Sequence, residues 1–217
     1  MPGLGHQPRS VEKLSPDTIA HAALAVIDVE GPDALSFRRL GKELGVTQTT
    51  VHRHCGGIDG LLDLCVDYLA RGFPPLDPDL SWADATELLF MALYRVMTAH
   101  PALVALRRGR PWLGPEVLAR LVEPALQANL SAGMTPRQMI VAYRQMYLYT
   151  LGCAVFVDHQ NPAAAVRRTR TALAALDPAE FPALTGHLAT VLEAVVDHEV
   201  YRDGLRRLIR AADPALA

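Results

Sequence analysis

The chain has 217 residues, half of them apolar, enough to bury a core in one domain or in a small domain joined to a larger one. Mean hydropathy is only slightly positive, and no stretch approaches the ~18 uncharged apolar residues of a bilayer span. A net charge of −2 excludes a polycation that coats nucleic acid regardless of sequence, but leaves room for one small DNA-contacting face.

Residues 1–13, with Pro2, Gly3, Gly5, Pro8, Arg9 and Lys13, lack the apolar stretch of a signal peptide. They read as a flexible arm, and a cytoplasmic location is expected. No alternating β-branched run and no Asn-Gly or Asp-Gly hairpin is visible, so strands are not expected. Helix punctuation is frequent instead. Ser15-Pro16-Asp17 supplies a cap, a first-position proline and a first-turn acid, and Ile19, Ala22, Ala23, Val26 and Ile27 follow at helical spacing. Gly31-Pro32 ends that helix. Ser36 caps a second, with Phe37, Leu40 and Leu44 apolar, and Gly45 stops it. Thr47 caps a third, running to about His54 before Gly56-Gly57. A fourth covers roughly Asp59 to Arg71, ahead of the proline-rich Phe73 to Pro78. Longer helices follow: Ser81 to His100, a short one at Ala102 to Arg108, Pro115 to Gly133, Thr135 to Val157, Pro162 to Leu176, Phe181 to Val196 and His198 to Ala211. The pattern predicts an all-α protein.

The informative stretch is Leu35 to His54. Two helices of about two turns meet at Gly45 through a short turn, which is helix-turn-helix spacing. Gly45 suits the left-handed conformation that ends the first helix, and Gly41 is small where the two cross. The second helix exposes Gln48, Thr49, Thr50, His52, Arg53 and His54, groups that reach base edges. Ser36 and Arg38 open the preceding helix, where backbone N–H groups favour phosphate. Arg38, Arg39, Lys42 and Arg53 against Glu43 make the segment locally +3 in a mildly acidic chain, the footprint of a small docking face. The plainer alternative is a surface helical hairpin whose polar residues are only solvated. The polar face and the charge contrast favour DNA.

Residues 14–71 resemble the DNA-binding domain of the TetR family of bacterial regulators. The likeness is carried by Leu14-Ser15 and its Ala-rich helix, Ala34-Leu35-Ser36-Phe37-Arg38-Arg39-Leu40, the Leu44-Gly45-Val46 turn, Thr47 to His54 and Asp59-Gly60-Leu61-Leu62-Asp63. The resemblance implies a three-helix DNA-binding domain over 14–60 and a helical regulatory and dimerisation domain over 61–217. It also implies a homodimeric repressor of a near-palindromic operator, released by an unidentified small-molecule inducer. Expected DNA-binding residues are Ser36, Arg38, Thr47, Gln48, Thr49, Thr50, His52, Arg53 and His54. Two departures stand out. His52 takes the place of a phosphate-contacting Tyr, so its grip would vary with pH. Gly56-Gly57-Ile58-Asp59 lacks the usual Lys, so non-specific affinity and its salt slope are expected to be low.

The remaining signals are weaker. His52 and His54 at i, i+2 point apart on a helix and do not suit one metal ion with Cys55. Cys55, Cys65 and Cys153 have no Cys-x-x-Cys spacing and read as reduced thiols. Asp158-His159 and Asp197-His198-Glu199 read as helix-end capping. No phosphate loop or nucleophile motif is present, so no cofactor, metal or catalysis is expected. A helical scaffold or a small helical enzyme is the alternative to a regulator. The helix from Thr135 carries Tyr143, Met146, Tyr147, Thr150, Ala154 and Val157 on one stripe, with Met139, Ile140 and Leu151 beside it. So wide an apolar surface calls for cover on two sides, one a ligand cavity and the other a second subunit. Leu205, Leu208 and Ile209 form an apolar edge for the same four-helix dimer contact. His100, Trp112, Tyr143, Met146 and Tyr147 are the candidate cavity walls, with ordinary core packing as the plainer account.

Overall fold

The structure, a computed structural model, describes residues 14–107, 110, 112–156, 161–195 and 198–216. The arm over 1–13, Val157 and Asp158-His159 lie outside them. The described residues form helices and turns without strands, as the punctuation predicts.

The first four helices are α1 (Pro16–Glu30), α2 (Phe37–Leu44), α3 (Gln48–Cys55) and α4 (Ile58–Ala70). Ser15 starts α1 with a capping box. Its hydroxyl accepts from the Thr18 N–H while the Thr18 hydroxyl accepts from the Ser15 N–H (3.2 and 2.9 Å). Ile19, Ala23, Val26 and Ile27 of α1 are buried against Leu61, Leu62, Cys65 and Val66 of α4, with Leu40 and Val51 closing the other side.

The second group begins with α5 (Trp82–Ala99) and α6 (Pro101–Arg107), a pair bent by 93° at His100. Pro101 removes the N–H that would continue α5, which accounts for the bend. No single described helix is long and apolar enough to cross a membrane. α7 (Pro115–Val117) runs through a π turn at Leu118–Val122 into α8 (Glu123–Ser131). The widened turn lies where Pro124 has no N–H to give and its ring crowds the carbonyl four residues back. α9 (Pro136–Phe156) and α13 (His198–Ala212) pack on α5, so that Leu89, Phe90, Leu93, Met97, Met146, Leu205 and Ile209 share one interior. The Tyr201 ring stacks on Tyr94 (3.8 Å), and its hydroxyl donates to the Phe90 carbonyl (3.0 Å) beside Thr150 Oγ1 (2.8 Å). Between them α10 (Pro162–Ala174), α11 (Pro182–Gly186) and α12 (Leu188–Ala194) pack chiefly on one another, so the single segment expected from Phe181 is two helices.

The tightest junction joins α3 to α4. A Cβ on Gly60 would stand 1.9 Å from the Cys55 carbonyl oxygen, a backbone atom with no room to yield. Gly60→Ala is therefore expected to cost about 1–3 kcal/mol, the usual penalty of overpacking. The check is a urea titration, with a lower midpoint at unchanged slope. A wild-type midpoint would show that the junction tolerates a side chain.

Candidate nucleic-acid interface

α2 and α3 are each two turns long and capped at both ends. The Ser36 hydroxyl accepts from the Arg39 N–H (3.1 Å), and the Thr47 hydroxyl from the Thr50 N–H (3.2 Å). Gly45 ends α2 at φ 66°, a left-handed conformation that glycine adopts without strain, and Val46 N–H donates back to the Gly41 carbonyl (2.9 Å). At Gly41 a Cβ would lie 2.8 Å from the Val46 carbonyl oxygen, so the turn folds directly onto α2. Val51 is buried and aims one side of α3 inward. The opposite side is thereby presented outward.

Each of the nine sequence-predicted DNA-binding residues reaches the surface, with Thr49 and Arg53 opposite Val51 on α3. Ser36, Arg38, Thr47, Gln48, Thr49, His52, Arg53 and His54 are exposed, and Thr50 is half-buried. Their hydrogen-bonding capacity is not equal. Thr47 and Thr50 hydroxyls meet each other (2.9 Å), and the His54 Nδ1 donates to the Thr50 carbonyl (2.9 Å). The His52 ring stands edge-on to Phe37 (4.9 Å). Arg38, Gln48, Thr49 and Arg53 keep their side-chain donors and acceptors for an incoming partner. Buried Cys55 is turned away from the exposed His52 and His54, so the three do not converge.

Arg39 contributes less than its charge suggests. Its Nε and Nη2 are held by Glu30 (3.0 and 2.6 Å), and Nη1 by Glu43 (2.7 Å). These carboxylates, Glu30 foremost, push its pKa up and hold Glu30 low. Glu30 lies outside the sequence window that counted +3. With it included, the cations left for DNA on this face are Arg38, Lys42 and Arg53.

The other side of α4 is polar at four-residue spacing. Asp59, Asp63, Asp67 and Arg71 fall on one stripe. Asp59 pairs with Arg110 of the connection after α6, and Asp63 with Arg107, the last residue of α6. Asp67 accepts from the N–H groups of Glu116 and Val117 (3.1 and 3.4 Å), capping α7 from another element. Burial raises the Asp67 pKa despite these donors. Arg71 bridges Asp17 of α1 and Glu116 (3.5 Å to Glu116). One helix thus binds the helix-turn-helix on one side and the α6–α7 connection on the other.

That connection carries Trp112, one of the candidate cavity walls. Trp112, Met146 and Tyr147 are buried, and the Trp112 backbone hydrogen-bonds the Tyr147 hydroxyl. Tyr143 stacks with Tyr147 (6.1 Å) and meets Phe90 (5.8 Å). Burial pushes the pKa of both tyrosines up, so their hydroxyls stay protonated. Phe90 was not legible as a neighbour, because its spacing on α5 reads as plain core. His100 departs from the expectation for a cavity wall. It ends α5, where its Nδ1 meets the Asp28 carboxylate of α1 (2.9 Å), so it joins the two helix groups and faces away from the aromatic set. Two surface clefts lie elsewhere, about 450 Å³ between α5 and the start of α13 and about 470 Å³ between the proline-rich stretch and α8.

Known proteins agree with this geometry. Residues 19–65 match the family described as "Bacterial regulatory proteins, tetR family", and residues 74–211 match "Tetracyclin repressor-like, C-terminal domain". An HTH-type transcriptional regulator of Saccharopolyspora erythraea is 31% identical, over 83% of this chain and 78% of that protein. The HTH-type transcriptional repressor DrrR1 of Streptomyces coeruleorubidus is 32% identical, over 82% of this chain and 65% of its own length. Among solved structures, ActR of Streptomyces coelicolor in complex with (S)-DNPA superposes with a TM-score of 0.74 at 26% identity, covering 92% of this chain and 96% of ActR. With an exposed reading helix at its N-terminus and matches over both parts, the chain belongs to the TetR family of DNA-binding transcriptional regulators.

Proposed function

We propose that the protein is a cytoplasmic homodimeric repressor that holds a near-palindromic operator through α2 and α3 and is released by a small molecule. The carrying observation is the outward face of Arg38, Gln48, Thr49 and Arg53, whose polar groups meet no partner among the described residues. Two such faces, one helical repeat of DNA apart, suit inverted half-sites. Repression is supported by the 32%-identical relative DrrR1, which is named a repressor.

The second copy is supported by the outer side of α9. Ile140, Val141, Leu148 and Val155 are exposed there, with Val200 of α13 beside them, while Met146, Tyr147, Thr150 and Ala154 face inward. Val141, Leu148 and Val155 repeat every seven residues and share a side of the helix. Leu205 and Ile209 are buried within the subunit and Leu208 is half-buried, so the expected edge on α13 shifts to Val200.

The inducer site we assign to Trp112, Tyr143, Met146 and Tyr147. Aromatic and Met side chains suit a planar, largely apolar ligand, in keeping with the ligands named in the ActR structures. The group is closed in this structure, so a ligand must displace Trp112. Trp112 sits between Arg110 and Glu116, both of which pair with the α4 stripe. A ligand that prefers the displaced connection shifts α4, and α4 carries α3 with it.

Two measurements test this reading. In gel shifts against the DNA beside its own gene, Arg38→Ala and Gln48→Ala should each lose about 1–3 kcal/mol of affinity, roughly 5- to 150-fold. Two variants that bind like wild type would remove the assigned reading face. In sedimentation at micromolar concentration, wild type should run as a dimer and Leu148→Glu with Val155→Glu as a folded monomer. A wild-type monomer would sink the α9 interface.

A further inference from the structure

The corner where the recognition helix meets α4 is acidic. Asp59 lies three residues beyond Gly56, the cap of α3, and so within about 11 Å of the end of that helix. From Gly56 to Ala70 the charged residues are Asp59, Asp63 and Asp67, with no cation among them. Left alone, this corner would repel a DNA backbone approaching α3. Two arginines answer it, Arg107 at the end of α6 and Arg110 in the connection to α7, and they differ in setting. Arg107 is 6% exposed where it meets Asp63. Arg110 is 55% exposed and Asp59 is 60% exposed. The Arg110 N–H donates to the Arg107 carbonyl (2.9 Å), a turn that sets both guanidiniums against α4.

The buried Arg107 is the one that fastens the connection, because a buried guanidinium is costly to part from its carboxylate. The exposed pair contributes about 0–1 kcal/mol to stability, too little to be what holds the two elements together. Its guanidinium fork stays open to solvent at the edge of the DNA-facing side. We propose that Arg110 is a DNA-phosphate contact, supplied by the regulatory part of the chain to the end of the recognition helix. This rests on the DNA-binding reading of α2 and α3. Without DNA, Arg110 neutralises Asp59. With DNA, the guanidinium gives its solvent-facing N–H groups to a phosphate while keeping Asp59 as neighbour, so that it bridges the two and Asp59 does not face the backbone uncompensated. A ligand that moves the connection would then also withdraw a phosphate contact directly.

The test is fluorescence anisotropy with a random-sequence duplex over a salt series, using full-length protein. Arg110→Gln should bind more weakly, with a salt slope shallower by about 0.9 for each Arg110 lost, roughly 1.8 for a dimer. Arg110→Lys should restore the slope, because the charge is kept. Asp59→Asn should bind more tightly than wild type. A merely structural pair predicts that Arg110→Gln and Asp59→Asn shift binding the same way, since both break the same contact. Same-sign shifts, or a wild-type slope for Arg110→Gln with unchanged thermal melting, would overturn the proposal. Wild-type protein that binds no duplex would remove the DNA-binding reading and this proposal with it. Intact wild-type binding with a flat Arg110→Gln response would remove this proposal alone.

Discussion

The position of α4 is the constraint on which the rest depends. Its apolar residues Leu61, Leu62, Cys65 and Val66 lie against α1, and its first turn presses on the end of α3 through Gly60. Its polar stripe holds the end of α6, Arg110 and the start of α7 at four successive turns. Close-packed interiors do not deform gradually, so a shift of the connection is passed to α3 as a movement of the whole helix. The four links are unequal in strength. The exposed ones at Asp59 and Arg71 are weak, whereas Asp63 to Arg107 involves a buried guanidinium that is costly to leave alone. His100 with Asp28 adds a further tie between the groups at the far end of α1.

The interface toward DNA is shaped as much by neutralisation inside the protein as by exposed charge. Arg39 has two carboxylates around its guanidinium and little left to offer. Thr47, Thr50 and His54 are partly committed to capping and to the helix backbone. What remains open is a compact set with distinct chemistry: two guanidiniums, the Lys42 ammonium, one amide and one hydroxyl with its methyl. A set this small suits sequence-selective docking on top of a modest electrostatic attraction, in keeping with the slight net negative charge of the chain.

The aromatic group in the regulatory part is a packed core in this structure, with rings in stacked and tilted contacts and no polar group left unmet at Tyr147. The same residues that close it also border the connection to α4.

By itself the sequence determined the helices, the helix-turn-helix and its outward residues. Those depend on local rules: capping by Ser15, Ser36 and Thr47, left-handed glycine at Gly45, and apolar residues every three or four positions. It also made the two-sided apolar character of α9 legible, though not which side is which. Only the tertiary structure decided which partners each charged or aromatic group meets. Arg39 is silenced by Glu30, nine residues away, His100 is drawn to Asp28, Phe90 joins the Tyr143 and Tyr147 group, and Arg110 reaches Asp59 across half a hundred residues. Such pairings follow from how helices cross. Local spacing carries no record of crossing, so the corner that lacks a lysine in the sequence acquires an arginine only when the chain is folded.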